Sequence, residues 1–278
     1  MTTSVLASVE RIDYTRHIGT ELPDVQLADL DDEGITQIKQ LAAERGVLFF
    51  RDQAMTLDQQ LDVGRRLGTL HMHPAAPGPE GYPEVLLVHT DENSKFTAGE
   101  TWHTDVSCDE VPPAFSMLRV EVIPSVGGDT CWSSMYAAYD LLSDPMKEFL
   151  AGREAIHTST QVYPGQYGTG TNDVKTPSAV HPVVRTHPLT GRRALYVNSM
   201  FTSRIKGLKR REGDALLKML FDHIAYEVEI QVRFRWEPNS VALWDNRCAQ
   251  HYASWDYFPE TRTGYRVTTV GERPYLDN

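Results

Sequence analysis

Glu100-Thr101-Trp102-His103-Thr104-Asp105 sets an imidazole and a carboxylate two residues apart. In an extended strand alternate side chains share a face, so His103 and Asp105 are expected to point the same way and converge on one ion. Two imidazoles and one carboxylate on one side of an octahedron leave the opposite positions open. That donor set suits ferrous iron that must bind a cosubstrate and dioxygen together. The third ligand predicted from the sequence is His251, in Leu243-Trp244-Asp245-Asn246-Arg247-Cys248-Ala249-Gln250-His251.

A His-x-Asp tripeptide carries little information alone, because a chain of this composition supplies roughly 0.7 of them by chance. Here there are two. His89-Thr90-Asp91 follows the apolar run Val85-Leu86-Leu87-Val88 and precedes the polar loop Glu92-Asn93-Ser94-Lys95. A strand end closed by an Asx-type turn explains it equally well, and the residues by themselves leave the choice open. His71-Met72-His73-Pro74 repeats the i, i+2 spacing, but Pro74 ends the strand and no third ligand follows nearby. A polar contact to substrate is the expected role of His73, not ligation.

The 278 residues, 41% of them hydrophobic, can bury a large core, and one domain over 1–278 is expected. A formal net charge of −11 argues against nucleic acid or an anionic membrane as partner, since both need a basic face. Cys108, Cys131 and Cys248 are odd in number and lack C-x-x-C spacing, so neither a disulfide framework nor a structural zinc site is expected. The first 25 residues lack a basic segment followed by an apolar run, and a cytoplasmic location is the expectation.

A helix capped by Asp31 or Asp32 is predicted from the stripe Ile35, Ile38, Leu41 and Ala42, with Gly46 ending it. Val47-Leu48-Phe49-Phe50 reads as a buried strand, and Thr56 opens a second helix that closes at Gly68. A helix through Tyr136 to Leu142, another after Ser143 with Pro145 in its first turn, and an amphipathic one through Leu216, Leu217, Leu220 and Ile224 are interpolated among strands. Strands are expected at Phe115–Val122, Ala194–Asn198, Ile230–Trp236, Ser240–Trp244 and Tyr265–Val270. Residues 158–180, rich in Gly and Pro, are expected to form a lid-like insertion. The pattern is mainly β with interpolated helices (α+β) and fits a jelly-roll sandwich better than a parallel sheet.

Arg262 stands eleven residues after His251, and Arg266 four residues further on. On one strand those two share a face, so both guanidiniums would line the interior that holds the metal. Arginine suits a bidentate grip on a carboxylate or sulfonate, although a surface strand also commonly shows arginine to solvent. Thr130, after Gly127-Gly128-Asp129, can add a hydroxyl to the same anion or be an ordinary turn residue.

Taken together, Trp102-His103-Thr104-Asp105, Gly127-Gly128-Asp129-Thr130, His181-Pro182-Val183-Val184-Arg185-Thr186-His187-Pro188, Trp244-Asp245-Asn246-Arg247, His251, Arg262 and Arg266 resemble the taurine/alkylsulfonate branch of the Fe(II)- and 2-oxoglutarate-dependent dioxygenases, the TauD/TfdA family. The likeness runs from Ile18-Gly19 to Gly271. It implies a double-stranded β-helix with iron held by His103, Asp105 and His251, and so selects the second His-Thr-Asp copy. It implies that Thr130 and Arg262 grip the far carboxylate of 2-oxoglutarate, with Arg266 near its other carboxylate and the substrate anion. His73, Val106, Tyr163, Phe201 and Arg266 are placed around the substrate, and His181 and His187 in a structural strand-turn. Homodimers or homotetramers are common in this family.

The chain departs from the taurine pattern at Ala76, Gly99 and Cys108, where tyrosine, asparagine and phenylalanine stand in taurine-hydroxylating members. The anion end looks kept and the ammonium end does not, so a larger or less polar tail than taurine's is expected. The resemblance implies hydroxylation of the carbon beside the anionic group of a small organic acid, with an alkylsulfonate giving an aldehyde and sulfite. The same chemistry on an alkyl sulfate or a phenoxyalkanoate is an alternative. A zinc hydrolase with the same ligands and a non-catalytic 2-oxoglutarate sensor are readings of other classes. The paired arginines speak against the hydrolase, and the complete triad against the sensor.

Overall fold

The structure, a computed structural model, describes residues 9–73, 78–97, 99–160, 162 and 176–277. Two short strands, β1 (Ile12–Asp13) and β2 (Thr20–Glu21), lead to helix α1 (Asp32–Arg45), strand β3 (Val47–Phe50) and helix α2 (Leu57–Leu67). The caps are those the side chains dictate. Asp31 accepts the Gly34 N–H at the start of α1, and the chain leaves that helix through Gly46 at φ 75°. Thr56 and Gln59 form a reciprocal capping box on α2.

The chain continues through β4 (Val85–Thr90), β5 (Pro113–Val122), β6 (Thr130–Ser134), α3 (Met135–Asp140), α4 (Asp144–Leu150), β7 (Glu154–Thr158), β8 (Ser178–Pro182), β9 (Val184–Thr186), β10 (Arg193–Leu195) and β11 (Thr202–Ile205). Helix α5 (Arg210–Tyr226) and strands β12 (Gln231–Phe234), β13 (Ser240–Asp245), β14 (Ala249–Ala253) and β15 (Arg262–Val270) complete it. The protein is mainly β with interpolated helices.

A seven-stranded sheet has the order β1-β2-β3-β13-β5-β15-β4, and a three-stranded sheet the order β12-β6-β14. The apolar run of β3 needs both of its faces buried, and it has them. Val47 and Phe49 pack with Trp132, Phe234, Leu118 and Trp244 between the two sheets. Leu48 and Phe50 pack with Ile35, Ile38 and Leu61 of the helices on the other side. Phe49 stacks on Phe234 at 4.1 Å and meets Trp132 edge-on at 5.4 Å. Burying each such ring stabilises the fold by roughly 2–3 kcal/mol relative to leaving it in water.

Several expected elements differ in extent. The strand expected at Ala194–Asn198 covers only Arg193–Leu195, and that expected at Ile230–Trp236 covers only Gln231–Phe234, after a 3-10 turn over Val228–Ile230. Ser143 precedes α4 without donating or accepting a side-chain cap. The insertion expected over 158–180 is bracketed by an antiparallel ladder that pairs Thr158 with Ser178; its residues 161 and 163–175 lie outside the described residues. Among the described residues, no helix is long and apolar enough to cross a membrane.

Candidate metal centre and anion pocket

Strand β14 carries His251 and pairs with β6, which fixes the direction of its side chain. The segment before His103 runs antiparallel beside β14 as an isolated bridge. His103 N–H donates to the His251 carbonyl at 3.1 Å, and His251 N–H donates back at 2.8 Å. The two imidazoles therefore face each other, ring centres 4.0 Å apart. Beyond the bridge the chain turns. Thr104 Oγ1 donates to the carbonyls of Asn246 (2.6 Å) and Ala249 (3.0 Å), and Val106 adopts φ 43°. This corrects the strand expected for His103-x-Asp105: the carboxylate reaches the imidazoles through a pinned turn rather than a pleat.

Asp105 Oδ1 lies 3.9 Å from Nε2 of His103 and 3.9 Å from Nε2 of His251. All three donor atoms fall within 4.8 Å of one another, and all three side chains are buried. His103 Nδ1 donates to the Thr101 carbonyl at 2.7 Å, which turns the lone pair of Nε2 toward Asp105. Burial pushes the pKa of both imidazoles down, His251 well below its ordinary value, so both are neutral near pH 7. Burial alone would raise the Asp105 pKa, but the charge of Arg266, helped by the hydroxyl that Ser116 donates, more than offsets it and holds the group well below the usual carboxylate range. Two neutral imidazoles and one ionised carboxylate, opening on a cavity, fit a divalent metal that keeps free positions for other ligands.

That cavity encloses about 710 Å³ of empty space, part of it open to solvent. Arg262 and Arg266 of β15 both line it, as expected for i and i+4 on one strand. Arg266 Nη1 donates to Asp105 Oδ1 at 2.7 Å. Arg262 Nε donates to the Gly128 carbonyl at 3.2 Å, whereas its Nη2 is buried without a partner among the described residues. A buried, unpaired guanidinium N–H costs about 1–3 kcal/mol, so this end of the cavity favours an anion. Thr130 lines the cavity beside it.

The remaining expected residues sort themselves by position. His73, Val106 and Phe201 line the cavity, together with Leu86, Val88, Leu118 and Met200, whose apolar contribution was not anticipated. Burial, and then the charge of Arg266, push the His73 pKa down to about 4, so it meets a ligand as a neutral imidazole. Tyr163 and Ala76 lie outside the described residues. Gly99 lines the cavity at φ 96°, and Cys108 packs behind Val106 and Phe201. His89 sits on β4 with 42% of its side chain exposed, 3.7 Å from Asp91, and among the described residues joins no third donor. His71 faces Asp109 at 3.5 Å.

His187, Asp245 and Cys248 form a second close group of buried donors. Their atoms are already committed. Asp245 accepts Arg247 through both oxygens (2.8 and 2.6 Å), and His187 Nε2 lies 3.1 Å from Asp245 while its Nδ1 accepts the Leu189 and Thr190 N–H groups. His181 Nε2 lies within 3.0 Å of the Ser107 and Asp109 carbonyls and clamps the turn after Asp105. Both histidines are structural.

Residues 10–268 match the model of the family described as taurine catabolism dioxygenase TauD, TfdA family. An alpha-ketoglutarate-dependent sulfonate dioxygenase of Saccharomyces cerevisiae is 34% identical over 276 residues, covering 95% of this chain and 67% of the relative. An alpha-ketoglutarate-dependent sulfate ester dioxygenase of Pseudomonas putida is 35% identical over 271 residues, covering 92% and 88%. The crystal structure of a taurine dioxygenase from Burkholderia xenovorans superposes with a TM-score of 0.83 at 36% identity, covering 96% of this chain and 91% of that one. The chain thus belongs to the TauD/TfdA family: it is a dioxygenase that uses Fe(II), 2-oxoglutarate and dioxygen on a small-molecule substrate.

Proposed function

We propose that His103, Asp105 and His251 hold the Fe(II), that Thr130 and Arg262 grip the far carboxylate of 2-oxoglutarate, and that Arg266 and His73 face the anionic group of the substrate. The substrate is a small organic anion, most simply an alkylsulfonate, hydroxylated on the carbon that bears the sulfur. Bound Fe(II) supplies the activation of dioxygen that converts this C–H to C–OH while 2-oxoglutarate leaves as succinate and carbon dioxide. Collapse of the hydroxylated carbon then breaks the C–S bond and gives an aldehyde and sulfite.

The observation that carries this reading is the location of two β15 guanidiniums in the cavity that the three donors open on, each with a buried N–H that has no partner among the described residues. The chain's contribution is positioning. His73 is neutral and donates or accepts without adding charge, so among the described residues Arg266 supplies the cation at the substrate end. Misplacement of the reacting carbon by near 1 Å would cost on the order of 100-fold in rate.

An alkyl sulfate ester is the second reading, favoured by the apolar lining from Leu86, Val88, Leu118, Met200 and Phe201 and by the Pseudomonas relative. We also infer that the two facing sheets make up a double-stranded β-helix, that residues 1–278 are one domain, and that the enzyme is a cytoplasmic homodimer or homotetramer. Light scattering of the purified chain tests the last point. The substrate reading is tested by oxygen uptake against alkylsulfonates, alkyl sulfates and taurine. Uptake and sulfite release with an alkylsulfonate support it, uptake with sulfate release favours the second reading, and preference for taurine overturns the apolar-tail assignment.

A further inference from the structure

A chain of four buried groups fixes which oxygen of Asp105 is offered to a metal. Trp244 Nε1 donates to Asn246 Oδ1 at 3.0 Å, and the Asp105 backbone N–H donates to the same oxygen at 3.2 Å. Both of these groups only donate, so the amide of Asn246 has one allowed orientation. Its Nδ2 must then point at Ser116 Oγ, 2.9 Å away. Ser116 accepts that N–H, and its own proton goes to Asp105 Oδ2 at 2.7 Å. Thr268 Oγ1 lies farther from Ser116, at 3.2 Å, and a hydroxyl prefers the shorter, charge-assisted bond to a carboxylate.

Ser116, Asn246 and Trp244 are each at most 1% exposed, so water cannot substitute for a missing donor. Oδ2 is held by the relay inside the protein, while Oδ1 lies on the cavity side, 3.9 Å from both imidazoles and accepting Arg266 Nη1 at 2.7 Å. We propose that Ser116 is a positioning residue for the reaction: through the Trp244–Asn246–Ser116 relay it withholds one oxygen of Asp105, so that the carboxylate gives a single donor atom to the metal. The inference rests on the ligand assignment proposed above. Its chemical sense lies in the coordination count. A carboxylate free to rotate would present both oxygens and occupy a position that the cosubstrate or dioxygen needs.

The test uses the full chain stripped of metal by chelation, with Co(II) as probe, because its visible ligand-field bands report donor number and geometry. Loss of an outer-shell partner typically weakens metal binding by about 10- to 100-fold. Ser116→Ala is expected to weaken Co(II) binding by roughly that factor and to change the band shape at saturating metal, which a purely structural role would not move. Trp244→Phe, which removes the indole N–H and keeps an aromatic ring, is expected to shift both readouts in the same direction by less. Ser116→Thr, which restores the hydroxyl, is expected to return the wild-type spectrum.

If the wild type binds Co(II) and Ser116→Ala matches it within a factor of two with an unchanged spectrum, the relay is overturned while the ligand assignment stands. If the wild type itself takes up no Co(II), the ligand assignment fails and the relay with it. Should Ser116→Ala not fold, Trp244→Phe decides alone: unchanged affinity and spectrum in that variant overturn the proposal.

Discussion

Thr130 Oγ1 accepts the indole N–H of Trp236 at 3.0 Å. One lone pair of the hydroxyl is thereby used, and its single proton is left to point into the cavity beside Arg262. Trp236 also lies under the Arg262 guanidinium, 5.4 Å from ring centre to Cζ, so one indole orients both groups assigned to the far carboxylate of 2-oxoglutarate. Trp236→Phe keeps the ring face and frees the hydroxyl to rotate. Losing one oriented hydrogen bond of about 0.5–1.5 kcal/mol predicts a KM for 2-oxoglutarate raised roughly 2- to 10-fold, with kcat little changed. Steady-state kinetics with 2-oxoglutarate varied checks it.

Arg262 is predicted to resist conservative replacement. Lysine keeps the charge but loses the planar fork, the Gly128 contact through Nε and the stack on Trp236. Arg262→Lys should raise the KM for 2-oxoglutarate on the order of 10- to 100-fold, the equivalent of losing a charged hydrogen bond. A variant with an unchanged KM would remove Arg262 from the cosubstrate grip.

Gly99 has a conformational reason to lack a side chain. Its φ of 96° is one that L residues rarely adopt, and a Cβ there would lie 3.2 Å from His103 Cε1. Gly99→Ala should lower stability by about 1–3 kcal/mol and push the imidazole of His103 out of place. Urea denaturation together with a Co(II) titration would register both effects, and an alanine variant equal to wild type in both would show that the backbone relaxes without cost.

Acid should destabilise the protein well before its carboxylates titrate. His157 is fully buried with Nδ1 3.0 Å from Ser107 Oγ, and burial, followed by the charge of His181, pushes its pKa down to about 3. Below its ordinary value of about 6.5 the unfolded chain takes up a proton that the folded chain refuses. The stability contributed is therefore complete above pH ~6.5 and lost progressively as pH falls toward ~3, at about 1.4 kcal/mol per pH unit for this group. Between pH 7 and 5 the loss from His157 alone is about 2 kcal/mol. Urea midpoints at the two pH values should separate, and His157→Gln should narrow the separation; an equal separation in that variant would exclude His157 as a source.

Metal should stabilise the fold by mass action. At a free concentration 100 times its Kd, a ligand bound only by the folded state adds about 2.7 kcal/mol. Chelation should lower the Tm of the loaded wild type, and His251→Ala should have lost that dependence altogether. A metal-dependent Tm that survives in His251→Ala would mean that the ion binds elsewhere.

The scaffold was legible where local rules decide. Asp31, Gly46 and Thr56 act through residues three or four positions away, and the two-sided burial of Val47–Phe50 follows from its composition. The pairing of Arg262 with Arg266 on one face needed only strand periodicity. His103-x-Asp105 converged for a reason the sequence does not carry, since the turn depends on Thr104 reaching carbonyls more than 140 residues away. Ser116, Asn246 and Trp236 were invisible as site residues for the same cause. Each reads as ordinary strand or turn material until the sheet brings it to a partner on another strand, and no spacing within the chain encodes that meeting.

Strand β15 is hydrogen-bonded between β5 and β4, with Val267 opposite both Met117 and Val85. A slip of one residue would turn Val267 out of the core and both guanidiniums away from the cavity at once. Grip on the anion is thus inherited with the ladder and cannot drift independently of folding. A lineage that changes what this enzyme oxidises has to leave that strand alone and write its novelty at cavity-lining positions outside the ladder, such as Met200, where a new side chain alters the tail's room without renegotiating that register.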